Sequence, residues 1–287
     1  MTVIDFHLHV MDLEQLQPWT TEYLIRSSGR DLDYLGRLMT SPELLVEMLR
    51  QNGVDYAVVI TEISPITTGV ISNEAVAEFC QGQKALIPFA NINPSLVANP
   101  ARELERYVTE MGFKGLKLYP TYQGFYPNDS SIYPLYAKAL ELGIPVMIHT
   151  GSSIFAGARL KYGDPLWIDD VAVDFPELTL IQVHSGRGMW YERAFLLARL
   201  HQNVYMEIAG LPPRKLIEYF PELEKNADKV IFGSDWPGLR SIKDNVAAIR
   251  SLPLSDETKA KILGGNAARL LDSAWPGLWQ ERNPSGA

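Results

Sequence analysis

The stretch VIDFHLHV, residues 3–10, decides the fold of this 287-residue chain. It is a near-continuous apolar run of the kind that forms a buried parallel strand. His7 and His9 are two residues apart, so the alternation of a strand directs both imidazoles to the same face. The stretch therefore predicts a buried strand that presents a pair of histidines at its C-terminal end.

Seven further apolar, β-branched runs follow along the chain, each short enough for a strand. They are YAVVIT from residue 56, ALIPFA from 85, KGLKLY from 114, IPVMIH from 144, LTLIQVH from 178, NVYMEI from 203 and KVIFGS from 229. With the first run, they predict eight strands.

Segments with helical periodicity and recognisable ends separate these runs. In SPELLVEMLRQNG, residues 41–53, Ser41 is the expected N-cap, Pro42 suits the first turn and Gly53 ends the helix. NPARELERYVTEMG, residues 99–112, repeats the arrangement. The other expected helices are IYPLYAKALELG, ERAFLLARL, PRKLIEYF, IKDNVAAIRSL and SDETKAKILGGNAARLL. Strand followed by helix, eight times, indicates a parallel barrel or an open doubly wound sheet.

No glycine-rich dinucleotide fingerprint or phosphate loop follows any run, which favours the barrel. We expect an α/β protein with one (β/α)8 TIM barrel over residues 1–272. Residues 11–40 are expected to be a loop insertion that forms a partial lid, or else a packing insertion. Trp19, Tyr23 and Tyr34 lie in this insertion.

Residues 273–287 are expected to form a C-terminal tail. Trp275 and Trp279 in this tail could dock on the barrel or at a subunit contact. The last residues, NPSGA, are expected to be disordered.

Composition excludes several classes of function. The chain has 34 acidic and 26 basic residues, and its net charge of -8 disfavours nucleic acid as a partner. Cys80 is the single cysteine, so no internal disulfide and no thiolate cluster can form. The N-terminus lacks the features of a secretion signal, and no apolar run has membrane-spanning length. We expect a soluble, cytoplasmic protein.

Three more candidate metal ligands stand at the ends of apolar runs. His149 ends the fifth run, His184 ends the sixth, and Asp235 follows the eighth. The strands of a parallel barrel end at one mouth, so these side chains and the first histidine pair should converge there. Such ligands suit Zn(II), Mn(II), Fe(II) or Co(II) in an open, catalytic site. The alternative is a hydrogen-bonded network of core histidines. His201 follows a helix and is expected to be an ordinary helix-end residue.

Taken in order, several motifs resemble the amidohydrolase superfamily over nearly the whole chain. They are His7-x-His9, GFKGLKLYP, IPVMIHTG, VHSGRG, VYMEIAG, IFGSDWP and GGNAARLL. Within the superfamily, the chain is similar to the group that contains aminocarboxymuconate-semialdehyde decarboxylase and metal-dependent hydrolases of TIM-barrel fold. This group includes decarboxylases, lactonases and other hydrolases.

The resemblance implies roles for five residues. His7, His9, His149 and Asp235 match the ligands of one divalent metal, expected to be Zn(II), with Mn(II) as the alternative. Asp235 and His184 match the catalytic residues. Asp235 would accept the proton of a water and return it to the leaving group, and His184 would activate water or polarise the substrate.

Lys117 ends the fourth run, at the place where binuclear members carry a carboxylated lysine. There it would share a second metal with His184, although the nearer group implies a single metal. Lys117 could instead bind a substrate carboxylate or form a structural ion pair.

Substrate contacts are expected from Lys117, from Tyr119 in an aromatic-rich loop, and from Arg187. Arg187 offers a two-pronged clamp for a carboxylate, unless it is a surface loop residue. Glu207 ends the seventh run and could bind metal-bound water, substrate or Arg187, and Glu62 after the second run has the same alternatives.

These expectations together indicate a metal-dependent hydrolase that opens a small, carboxylated cyclic ester, lactone or amide through metal-activated water. The alternative is a nonoxidative decarboxylase acting on an aromatic or muconate-type acid. A binding barrel that has lost catalysis is a further alternative, which the intact ligand set disfavours. Family habit implies a homodimer or larger homo-oligomer with a small-molecule substrate.

Overall fold

The computed structural model describes residues 2–10 and 12–278, and it confirms the predicted (β/α)8 barrel. Each of the eight predicted runs contains one barrel strand. A short antiparallel hairpin, which the sequence did not indicate, follows the second barrel strand. The barrel strands are β1 (Ile4–His9), β2 (Tyr56–Ile60), β5 (Leu86–Asn91), β6 (Leu116–Leu118), β7 (Val146–His149), β8 (Leu180–Val183), β9 (Val204–Glu207) and β10 (Val230–Ile231), and the hairpin is β3 (Glu62–Ser64) with β4 (Gly69–Ile71).

The barrel strands are parallel and are hydrogen-bonded in chain order from β1 to β10. Closure occurs where the segment after β10 runs beside β1. The amide of Phe6 donates to the carbonyl of Phe232 at 3.0 Å, and the amide of Asp235 donates to the carbonyl of His7 at 2.9 Å. The first and last sequence motifs are therefore adjacent in space.

Thirteen α-helices lie in the described ranges, and most of them surround the barrel. They are α1 (Pro18–Ser28), α2 (Leu32–Thr40), α3 (Pro42–Gln51), α4 (Asn73–Cys80), α5 (Pro100–Met111), α6 (Pro120–Gln123), α7 (Tyr133–Glu141), α8 (Trp167–Asp174), α9 (Tyr191–Leu200), α10 (Leu216–Tyr219), α11 (Ile242–Arg250), α12 (Asp256–Ala260) and α13 (Asn266–Ala274). A π-helical turn, Lys261–Gly265, joins the last two.

The expected helix ends are largely confirmed. Asn99 caps α5 by accepting a hydrogen bond from the amide of Arg102, and Gly112 ends this helix at a positive φ of 77°. Ser41 stands at the N-cap of α3 but makes no side-chain capping bond, so the Pro42 turn begins that helix without it. The end signals thus locate helices even where a particular capping contact is not formed.

The core has two layers, as expected of a barrel. Alternate strand residues fill the interior, where the rings of Phe6 and Phe89 meet edge to face at 5.5 Å. A larger apolar cluster lies between the strands and the helices. These layers leave the polar strand ends at one mouth.

The insertion between β1 and α3 is helical rather than a loop. Its helices α1 and α2 follow a short turn at Leu13–Gln15. The insertion is attached to the β3–β4 hairpin, because the amide of Gln17 donates to the carbonyl of Thr68 at 3.0 Å and the Trp19 indole donates to the carbonyl of Thr67 at 2.5 Å. Helix α1 contributes Tyr23 to the wall of the cavity at the barrel mouth, as a lid would.

Trp275 packs on the barrel, where the ammonium of Lys114 lies 3.6 Å from its ring centre. Trp279 and the remainder of residues 279–287 lie outside the described residues. Within the described ranges, every helix falls short of the length and apolarity needed to cross a membrane.

Candidate active site

A cavity of about 300 Å³ opens at the C-terminal mouth of the barrel. Most of the sequence-predicted site residues line it, together with side chains of helix α1 and of the loop after β7. The predicted residues in its wall are His7, His9, Tyr119, His149, His184, Arg187 and Asp235.

The pair on β1 and the aspartate after β10 form the centre of the site. The Nε2 atoms of His7 and His9 are 3.1 Å apart, as the shared strand face predicts. Asp235 places Oδ1 at 3.3 Å from Nε2 of His7 and 3.6 Å from Nε2 of His9. Barrel closure brings Asp235 to the histidines, since its backbone pairs with β1.

These separations fit a divalent cation. Nitrogen and oxygen ligands about 2.0–2.2 Å from one ion are themselves about 3–3.6 Å apart at common coordination angles. His7, His9 and Asp235 present three ligand atoms with this spacing. They are therefore suited to hold one metal ion from three sides.

His149 at the end of β7 offers a further nitrogen. Its Nε2 is buried and has no hydrogen-bond partner among the described residues. Burial lowers its pKa well below the ordinary value, so the ring is neutral at pH 7 and keeps a lone pair for a cation. An orphaned nitrogen in the cavity wall supports His149 as the fourth ligand.

His184 lies beside these ligands, with its ring centre 4.8 Å from that of His149 and 5.1 Å from that of His7. Its Nδ1 is 2.8 Å from the carbonyl oxygen of Ala209, which can only accept a hydrogen bond. The proton of the neutral ring is therefore on Nδ1, and Nε2 is the unprotonated nitrogen. Burial is the main cause that lowers the pKa of His184 well below its ordinary value, so the ring stays neutral at neutral pH.

Two of these residues are held in strained backbone conformations. Asp235 and His184 have φ angles of 65° and 62°, and Ser185 has 46°. Among the described residues, these are the non-glycine positions with positive φ. Such left-handed conformations cluster at functional sites, where surrounding contacts maintain them.

Glu207 at the end of β9 holds two histidines of the site through hydrogen bonds. The sequence alone left the role of Glu207 undecided. One carboxylate oxygen accepts from the amide of Ala209 at 2.8 Å. The other accepts from the amide of His184 at 3.2 Å and lies 3.4 Å from Nδ1 of His7. With its proton on Nδ1, His7 presents a free Nε2 to the cation position. Burial raises the pKa of Glu207, and the charge of Lys117 and the two backbone amides oppose that rise by favouring the carboxylate.

Lys117 on β6 is fully buried and is not among the described residues that line the cavity. Its Nζ has no hydrogen-bond partner among the described residues and lies 4.6 Å from the ring centre of Tyr119. Burial lowers its pKa, and the opposite charge of Glu207 counters this by favouring the ammonium. Its proposed contact with substrate, or with a second metal, stays a prediction.

Arg187 reaches the cavity from the loop after β8. Its Nη1 is 3.7 Å from Oδ2 of Asp235, and its Nη2 donates to the carbonyl of Ser152 at 3.2 Å. Gly210 makes room for the guanidinium, because a Cβ atom there would overlap Nη1. Arg187 is therefore held at the site rather than free on the surface.

Aromatic rings form the outer wall. Tyr122 lies 4.9 Å from the ring of His149 and 6.1 Å from Phe155, which in turn meets Tyr23 at 5.2 Å. The hydroxyl of Tyr119 donates to the carbonyl of Thr61 at 3.0 Å, so that residue offers its ring to the cavity. The sequence analysis named Tyr23 but missed Phe155. The sequence indicates Phe155 only as an apolar residue in a loop after a strand.

Comparisons with known proteins identify the family of this chain. The family model "Amidohydrolase" matches residues 4–272. Gamma-resorcylate decarboxylase from Polaromonas sp. is 25% identical, over 88% of this chain and 95% of that protein. A 2-keto-4-carboxy-3-hexenedioate hydratase from Sphingobium sp. is 27% identical, over 58% of this chain and 59% of that protein.

Solved structures share the fold. A TIM-barrel protein of uncharacterized function, Bb4693 from Bordetella bronchiseptica, superposes with a TM-score of 0.79 at 25% identity, over 96% of this chain and 99% of that chain. A dihydroxybenzoic acid decarboxylase from Polaromonas sp. JS666, solved with bound manganese and 2-nitroresorcinol, gives 0.66 at 21% identity, over 94% and 97%. The match of the family model over residues 4–272 shows that the chain belongs to the amidohydrolase family.

Proposed function

We propose that the protein is a metal-dependent, nonoxidative carboxy-lyase that removes carbon dioxide from a small planar aromatic or conjugated acid. The observation that carries this proposal is the position of Asp235. One of its oxygens faces the histidine pair, and the other lies 3.7 Å from the Arg187 guanidinium in an aromatic-walled cavity. Three curated relatives named gamma-resorcylate decarboxylase support the same reaction class.

The site offers such a substrate positive charge for its carboxylate and aromatic rings for its planar part. Arg187 can bind a carboxylate through the part of its guanidinium that Ser152 does not occupy. The rings of Tyr122 and Phe155 suit a planar molecule. A divalent cation held by His7, His9, His149 and Asp235 would supply positive charge that polarises substrate oxygens. An acid would thus be bound through its charge and its ring together.

Decarboxylation needs one proton delivered to the carbon that carries the carboxylate. The carbon–carbon bond then breaks, its electron pair returns to the ring or conjugated system, and carbon dioxide leaves. We assign the proton delivery to Asp235, whose side chain is 22% exposed while that of His7 is 1% exposed. This exposure lets Asp235 exchange its proton with water at the cavity mouth.

His184 acts through hydrogen bonding rather than as the proton donor. Its Nδ1–H donates to the carbonyl of Ala209, and burial keeps the ring neutral. Nε2 can therefore accept a hydrogen bond from the substrate. The left-handed backbone of His184 and the hydrogen bond that its amide donates to Glu207 hold the ring in place. His184 therefore orients the acid against Asp235.

Hydrolysis of a lactone or amide, the first expectation from the sequence, remains the second candidate. The partly exposed Asp235 and the neutral His184 both line the cavity, so either could also move the proton of an attacking water. Both reactions would use the same side chains, so the products must separate them.

The test is to incubate manganese- or zinc-loaded protein with aromatic acids, conjugated unsaturated acids and lactones while recording carbon dioxide and proton release together. We expect carbon dioxide in amounts equal to the decarboxylated product, from acids only. Stoichiometric proton release from a lactone with no carbon dioxide from any acid would replace the carboxy-lyase with a hydrolase. The Asp235→Asn variant is the control for background reaction.

A further inference from the structure

Glu62, which the proposed mechanism does not use, is a buried carboxyl group in the wall of the same cavity. It is 7% exposed and lies just after β2, at the first position of the hairpin. One of its oxygens accepts a hydrogen bond from the Thr68 hydroxyl across that hairpin. In the part of the chain that the structure describes, no further hydrogen bond and no ion pair reaches this carboxyl group. Since a carboxylate can accept about four hydrogen bonds, Glu62 retains accepting capacity at the cavity.

Both backbone neighbours of Glu62 form hydrogen bonds with side chains from other parts of the barrel. The Tyr119 hydroxyl donates to the carbonyl of Thr61 at 3.0 Å. The amide of Ile63 donates to Oδ1 of Asn91 at 2.8 Å. A carboxyl group placed by hydrogen bonds on either side is preorganised, as a recognition group must be.

The barrel places Glu62 opposite Arg187. Glu62 follows the second barrel strand, β2, and Arg187 follows the sixth, β8, so half the circuit of eight strands separates them. Both line one cavity of about 300 Å³. The cavity therefore presents a guanidinium from one side of the barrel and a carboxyl group from the opposite side.

We propose that Glu62 selects a hydroxyl group on the substrate, on the side of the ring away from the carboxylate that Arg187 binds. This inference rests on the proposed function in that it takes the substrate to be a ring acid. A hydroxyl donates a hydrogen bond to the Glu62 carboxyl group. A hydrogen atom or a methoxy group in its place leaves a buried acceptor without a partner, which weakens binding. The substrate class becomes hydroxylated ring acids.

Binding of simple ring acids tests this directly. Calorimetry on the manganese-loaded protein would compare benzoate with the 3- and 4-hydroxybenzoates and the corresponding methoxybenzoates. We expect at least one hydroxybenzoate to bind about 10-fold or more tightly than benzoate and its methoxy partner, the range for a hydrogen bond to a charged group.

The Glu62→Gln variant should reduce that preference to about threefold or less and leave the dissociation constant of benzoate unchanged. The matched control is Glu110→Gln, an exposed position on α5 that should keep the full preference. Should Glu62→Gln fail to fold, Glu62→Asp retracts the carboxylate by one methylene and should also lose the preference.

Two results would overturn the inference. One is wild-type protein that binds no hydroxybenzoate more tightly than benzoate. The other is a Glu62→Gln variant that keeps the full preference. Carbon dioxide is a separate readout. Hydroxyl-selective binding without carbon dioxide from any acid would support the role of Glu62 and remove the carboxy-lyase. Rapid decarboxylation with no hydroxyl preference would support the carboxy-lyase and remove the role of Glu62.

Discussion

Substitution of Glu207 by glutamine tests whether this buried carboxylate sets the state of the metal ligands. Its two oxygens receive two backbone amides, those of His184 and Ala209, and one of them also lies 3.4 Å from Nδ1 of His7. Glutamine has one carbonyl oxygen and one amide group. Whichever way the amide is turned, its NH2 group faces at least one N–H donor.

The expected loss follows from these contacts. One buried donor left without an acceptor destabilises the fold by about 1–3 kcal/mol. If the amide group faces His7, Nδ1 must become an acceptor and the proton moves to Nε2, the atom that faces Asp235. Loss of such a supporting contact weakens metal binding by about 10- to 100-fold, which is about 1.4–2.7 kcal/mol.

Metal affinity is measured by competition between the protein and a chelator of known affinity for manganese or zinc, with a urea melt on the metal-free protein. Glu110→Gln, on the exposed face of α5, is the matched control and should behave as wild type. A Glu207→Gln protein that folds normally and binds metal within about twofold of wild type would refute the argument.

Three further predictions concern separate contacts. Asp235→Asn should fold but lose about 100-fold or more in turnover, because proton delivery is removed; near-normal rates in steady-state assays would reject its role. Gly210→Ala should displace the Arg187 guanidinium and raise KM for the acid more than it lowers kcat, while metal content stays the same; an unchanged KM would count against the carboxylate contact. Burial raises the pKa of Asp5 from 3.8 to about 6, so its carboxyl group destabilises the fold as pH rises from about 4 to about 6. In metal-free protein, the stability of Asp5→Asn relative to wild type should therefore increase by about 1–3 kcal/mol as the pH rises from 4.5 to 7.5, measured by urea melts. A stability difference that does not change with pH would argue against this cause.

The sequence by itself predicted the barrel and most of its mouth. Eight apolar runs alternate with helical segments, and each run contains a strand. Strand alternation predicted that His7 and His9 share a face, and their Nε2 atoms are 3.1 Å apart. These properties follow from neighbours within a few residues, so periodicity is enough to read them. The metal ligand set itself, and the reaction, stay predictions that the experiments above test.

Other features needed the closed barrel. The contact between His7 and Glu207 joins residues 200 positions apart. Glu62 and Arg187 line one cavity because closure brings the ends of β2 and β8 to the same mouth. The helices between β1 and α3 were expected as a loop, because the sequence did not indicate the hairpin to which this insertion is hydrogen-bonded. Local pattern determines which face of an element is buried. The partner across the cavity depends on closure and register, which no short window of sequence contains.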